Sequence, residues 1–110
     1  MADPRQELRW FARRMEDELR ANDHKGGWHS CGDGYLLRRI ADERAELGRA
    51  LRKLARKVAR GGTVTQKEIQ SVVAEAADVA NFAMMIADNW KYFVDNHEPV
   101  ASALEEPPRE

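Results

Sequence analysis

Cysteine is nearly absent from this chain: Cys31 stands alone among 110 residues. An internal disulfide framework is therefore excluded, and a single thiol fits a reducing cytosol. Net charge is scarce as well. The 18 basic side chains against 19 acidic ones leave −1, so the molecule as a whole is not built to coat nucleic acid or an anionic membrane. Residues 1–7 are polar and acidic from the third position, which is unlike a signal peptide. The longest nearly apolar stretch, residues 72–87, carries two acids and an asparagine. It falls short of the roughly 20 apolar residues that span a bilayer. No alternating β-strand pattern of useful length occurs, and no internal repeat. These absences lead to the expectation of a soluble, cytoplasmic, all-α protein with neither membrane nor nucleic acid as partner.

What is present is helix periodicity. Charged residues make up 34% and hydrophobic residues 43%, a helix-rich profile of one domain with a modest core. A first helix is expected over about residues 4–20, where Leu8, Phe11, Met15 and Leu19 recur every three or four positions. Asp3 before Pro4 has the form of an N-cap and first-turn proline. Residues 22–34 hold four glycines and read as a loop. A second helix is expected from Gly34 or Tyr35 to about Ala59, ended by Gly61-Gly62. A third is expected from Thr65, which forms a capping-box pattern with Glu68, to about Phe93. Residues 1–97 are then a single helical domain. Residues 98–110, with three prolines and four glutamates, are expected to be a disordered tail. Residues 72–87 are apolar nearly all round, the mark of a helix covered on every side. Three helices cannot cover it, so a homodimer or homotetramer is expected to complete the core.

Acids interrupt both apolar stripes. At 100° per residue and with Glu43 at zero, Leu36 and Leu54 fall at about 20° and Leu47 at about 40°. Glu43 thus sits within the stripe, while Glu46, at about −60°, borders it. On the third helix Glu75, Asp78 and Asn81 are the sole polar residues between Val72 and Ala87. Their three-residue spacing makes them one strip on one face. No lysine or arginine lies in that stretch to neutralise them. Buried carboxylates are costly unless paired, protonated or bound to a cation. Four acids in facing pairs offer the oxygen ligands that a hard divalent ion such as Mg²⁺ prefers.

The segments Asp42-Glu43-Arg44-Ala45-Glu46 and Glu75-Ala76-Ala77-Asp78, with 28 residues between Glu46 and Glu75, resemble a family signature. It is the E-E-x-x-E … E-x-x-D pattern of the MazG-like all-α nucleoside triphosphate pyrophosphohydrolases, relatives of dimeric dUTPases and dCTP pyrophosphatases. Residues 22–28 and 75–88 also look like segments of short phage and bacterial members, and the likeness covers about residues 8–93. It departs at Asp42, where the family has Glu; Asp42 lies off the stripe.

The resemblance implies cleavage of a (deoxy)nucleoside triphosphate between its α- and β-phosphates, giving a monophosphate and pyrophosphate. It implies that Glu43, Glu46, Glu75 and Asp78 hold two or three Mg²⁺ ions, for which Mn²⁺ can substitute. Such ions neutralise the triphosphate and acidify a bound water, whose proton Glu43 or Glu46 would take. Likeness to the phage-type members suggests dATP or dGTP as substrate. Without the family, the same residues fit a non-catalytic helical interaction module with a structural cation site.

Other residues carry paired readings. Lys25, in the glycine loop, is either a solvated charge or a point charge for a β- or γ-phosphate. Trp28 either stacks on a nucleobase or caps the core. Asn81 binds substrate or satisfies a backbone group, and His24 could touch phosphate. The spacing of His24, His29 and Cys31 fits no standard zinc site. The basic run over residues 52–60 keeps its apolar stripe, which puts the cations on a solvated face. Met84 and Met85 read as core or interface.

Overall fold

A computed structural model describes residues 2–96; the expected tail over 98–110 and His97 lie outside the described residues. The protein is all-α. Helix α1 is Gln6–Ala21, α2 is Asp33–Ala59 and α3 is Gln66–Asn96, with a single 3-10 turn, Asp23–Lys25, between α1 and α2. No strand occurs among the described residues.

The helix ends follow local chemistry, with one correction. Helix α1 begins two residues later than the Asp3-Pro4 pattern predicts. Its N-cap is Arg5, in extended conformation and without a side-chain cap. The Pro4 carbonyl accepts from the Arg9 guanidinium, and the Leu8 and Arg9 amides bond to the Arg5 carbonyl. The capping box of α3 forms as expected: the Glu68 amide donates to Thr65 Oγ1 (3.2 Å) and the Thr65 amide to Glu68 Oε1 (2.9 Å). Helix α2 ends in a Schellman motif, with Gly61 at φ +78. The Gly62 amide bonds to the Lys57 carbonyl and the Gly61 amide to that of Val58, both at 2.9 Å. A Cβ on Gly62 would come within 2.8 Å of the Lys57 side chain. Lys57 Nζ then reaches across the turn to Glu68 Oε1 at 2.8 Å. That hydrogen bond, with the Thr65 amide, holds the Glu68 carboxyl down at about 2.

Helix α3 is the centre of the bundle. Helices α1 and α2 both pack on it, and no Cα pair brings α1 and α2 within 8 Å of each other. The pairings set the directions. Trp90 bonds Asp33 and Lys57 bonds Glu68, so α2 runs antiparallel to α3. Asn81 Nδ2 donates to the Met15 carbonyl at 3.1 Å, and one turn away Asp78 meets Glu18. Rising on one helix while falling on the other, these pairs make α1 antiparallel to α3 as well. A cleft is thereby left between α1 and α2, floored by α3.

With 31 residues and an 18-residue window of mean hydropathy 1.2, α3 is long and apolar enough to cross a membrane by length and composition. Residues 72–87, which alone fall short of a span, are only the most apolar part of this helix. Helices α1 and α2 pack on it and it carries Glu75, Asp78 and Asn81 itself, while 11% of that window is buried within the single chain.

The core is thin. Leu36 and Ala77 are the buried hydrophobic residues among those described, while Leu51, Val58 and Ile69 lie about half exposed along α2 and the start of α3. Arg52, Lys53, Arg56 and Arg60 are exposed, as expected of a solvated face.

Candidate metal and phosphate site

The cleft floor carries the strip Glu75, Asp78 and Asn81. Opposite it on α2 is Glu43, within the apolar stripe two turns beyond Leu36. One carboxylate oxygen from each of Glu43, Glu75 and Asp78 lies within 4.8 Å of the others. Helix periodicity brings Glu75 and Asp78 together on α3, and antiparallel packing adds Glu43. Glu46 is exposed and outside this trio. It nevertheless stands against both Glu43 and Glu75, raising each of them by its charge and by a shared hydrogen bond.

Two residues of the site lie outside the acid pattern read from the sequence. Glu18, on α1, shares a hydrogen bond with Asp78 and is the foremost charge acting on it. At the sequence level it is one of several acids on a charged helix, and only the α1–α3 register singles it out. Arg39, on α2, donates to Glu43 Oε1 and to Asp42 Oδ2, each at 2.9 Å, and lies over the Phe82 ring at 5.2 Å. The i,i+4 spacing of Arg39 and Glu43 was the available clue. Asp42 itself is exposed and engaged by Arg39, consistent with its place off the stripe.

Electrostatically the cluster is frustrated. Burial, followed by the Glu18 and Glu43 charges, pushes Asp78 up to about 7. Burial and then Glu46 raise Glu43, against the pull of Arg39. Burial and then Glu46 raise Glu75, opposed by Arg49. Three buried oxygens here have no hydrogen-bond partner: Glu43 Oε2, Glu75 Oε2 and Asn81 Oδ1. Asn81 is 3% exposed, and with its amide nitrogen given to Met15, its oxygen is free for a ligand. An all-oxygen donor set with orphaned buried acceptors is the chemistry that fits a hard divalent cation.

A cavity of 560 Å³ opens beside the acids. Glu18, Glu43, Asp78 and Asn81 line one part of it, and Lys25, Gly26, Gly27 and Trp28 another. Lys25 and Trp28 are therefore on the same cavity as Glu18, Glu43 and Asp78, whereas Glu46 and Glu75 are not among its lining residues. Trp28 is half-buried, with its indole N–H donated to Asp88 Oδ2 at 3.0 Å. His24 is exposed in the 3-10 turn and is not part of the lining. Met85 lines the cavity, while Met84 is half-buried elsewhere on α3. His24, His29 and Cys31 form no metal-type group among the described residues.

No family model matches the chain, and neither a curated protein nor a solved structure gives a significant match.

Proposed function

We propose that this chain is a Mg²⁺-dependent nucleotide pyrophosphohydrolase of the MazG-like type, converting a (deoxy)nucleoside triphosphate to its monophosphate and pyrophosphate. The observation that carries the reading is the trio Glu43, Glu75 and Asp78, with oxygens within 4.8 Å and two of them holding orphaned buried oxygens. Glu46 and Glu18 extend that donor set from α2 and α1. A cation bound there would neutralise phosphate charge and acidify a water. The chain's own residues divide the remaining work. Glu46, the exposed member beside Glu43 and Glu75, is placed to accept a proton from solvent-side water. Lys25 offers a cation for the outer phosphates, and the cavity that Trp28 shares has room for a nucleoside. dATP and dGTP are the first substrates to try.

The test is Mg²⁺- or Mn²⁺-dependent release of pyrophosphate from a panel of NTPs and dNTPs. Absence of turnover across the panel, with cation binding intact, would instead support a helical interaction module with a structural cation. One observation favours that second reading: Arg39 already neutralises one oxygen of Glu43.

The thin core supports a homodimer or homotetramer. Leu51, Val58 and Ile69, 46–59% exposed, present apolar surface where α2 and α3 meet their shared turn. A Leu51→Asp/Val58→Asp variant is expected to sediment as a monomer at concentrations where the wild type is dimeric or larger. A wild type that is itself monomeric at 100 μM or so would remove this part of the proposal.

A further inference from the structure

The acids account for one end of the cavity and leave the construction of its other wall to be explained. Gly26, Gly27 and Trp28 belong to a loop with little packing of its own: a Cβ on Gly26, Gly27 or Gly32 would meet nothing within 4 Å. Gly26 adopts φ +89, a conformation that side-chain-bearing residues avoid. A segment of this composition, left alone, would sample many conformations, and ordering it on ligand binding would weaken affinity.

Here the order is supplied by the far end of α3. Asn89 Nδ2 donates to two loop carbonyls at once, Trp28 at 3.0 Å and Cys31 at 3.2 Å. These are the ends of a turn that the Cys31 amide also closes onto the Trp28 carbonyl at 3.0 Å. The preceding residue, Asp88, accepts the Trp28 indole N–H at 3.0 Å and faces His29 Nε2 at 3.6 Å. One turn further, Tyr92 stacks against the His29 ring with centroids 4.2 Å apart. Two adjacent side chains on a rigid helix thus fix the backbone and the indole of one loop residue from about 60 positions away in sequence. They stand ten residues beyond Asp78, about 15 Å along the helix axis, too far to act on the acids directly.

We propose that Asp88 and Asn89 are positioning residues: they clamp the glycine loop as a preformed wall of the substrate cavity and so set substrate affinity, leaving the chemistry at the acids untouched. This rests on the pyrophosphohydrolase reading. It assigns a division of labour along α3, with Glu75 and Asp78 serving the phosphates and Asp88 and Asn89 serving the loop.

The clamp can be released without changing side-chain shape. Asn89→Asp replaces the donor by an acceptor facing two carbonyl oxygens. For the nucleotide that the wild type hydrolyses fastest, KM is expected to rise about tenfold, the equivalent of about one and a half hydrogen bonds, with kcat within about twofold. Asp88→Ala is expected to raise KM well beyond Asp88→Asn, which keeps an acceptor for the indole. Mn²⁺ affinity, read by calorimetry without nucleotide, should match the wild type in all three variants. Amide exchange over residues 26–31 should accelerate. Unchanged KM, a fall in kcat at constant KM, or an equal loss of Mn²⁺ affinity would each overturn the proposal. If the wild type hydrolyses no nucleotide, the pyrophosphohydrolase reading fails and the clamp fails with it. If the wild type is active and Asn89→Asp retains its KM, the clamp alone is wrong.

Discussion

Replacing both Glu43 and Glu75 by Gln is expected, on the pyrophosphohydrolase reading, to lower pyrophosphate release by at least about a hundredfold, since even outer-shell partners of a metal's ligands are worth roughly 10–100-fold. The same variant is expected to be more stable than wild type when no cation is present. Both results have one cause. The acids raise one another because burial and like charge act together, so removing two charges relieves a repulsion the fold otherwise carries. Gln keeps the shape and gives up the negative charge that a cation needs.

The sign of the pH dependence follows from Asp78. An unfolded aspartate releases its proton near 3.8, whereas folded Asp78 keeps it up to about 7. Between those values the folded state holds more protons, so the contribution of this group to stability declines as pH rises through the window. Glu68 acts in the opposite sense only at lower pH. Held at about 2 in the folded state, it contributes stability above its ordinary 4.5 that is lost as pH falls through about 2. A comparison at pH 5 and pH 8 falls within reach of Asp78 and wholly above the range of Glu68. Without cation, the unfolding temperature should be lower at pH 8. Added Mg²⁺ should raise it at pH 8 and have a smaller effect at pH 5, where Asp78 holds its proton. In the Glu43→Gln/Glu75→Gln variant both differences should shrink. Equal Mg²⁺ stabilisation of variant and wild type would show that the cation binds elsewhere.

Leu36→Ala is expected to cost about 2–5 kcal/mol, the range for truncating a well-packed leucine. Leu36 is the one large side chain fully buried among the described residues, 1% exposed, and it also lines the cavity. In a bundle with so little other core the loss falls on the α2–α3 contact that delivers Glu43 to Asp78. The unfolding temperature should drop by at least about 10 °C, and cation affinity should weaken alongside. Thermal unfolding of Leu36→Ala beside Leu51→Ala gives the check. Leu51 is 49% exposed, so in the monomer its truncation should cost far less. Equal losses from the two in monomeric protein would mean that the buried contact is not where stability resides.

Helix periodicity made much of this architecture legible. The stripe through Leu36 and Leu47 marked α2, the Thr65/Glu68 box marked the start of α3, and Gly61-Gly62 marked the turn between them. These are local signals: each depends on residues within one or two turns, whose relation is set by the backbone. The same locality put Glu75, Asp78 and Asn81 on one strip. It failed at Asp3-Pro4, where the cap pattern is present but the helix begins after Arg5, and at the far end of α3, which runs to Asn96.

The acids that opened the question were thus specified by sequence as two separate pairs, and no more than that. Their assembly was decided between helices. Antiparallel packing brings Glu43 onto Asp78 and leaves Glu46 at the rim, and the α1–α3 register selects Glu18 from the acids of α1. Arg39 divides its guanidinium between Asp42 and Glu43, and Asn89 reaches the carbonyls of a loop some 60 residues back. Spacing along one helix fixes direction around that helix alone. Which faces meet, and at what height, is settled by the packing of Leu36 and Ala77 and by a few hydrogen bonds across the bundle, all of them contacts between residues distant in the chain.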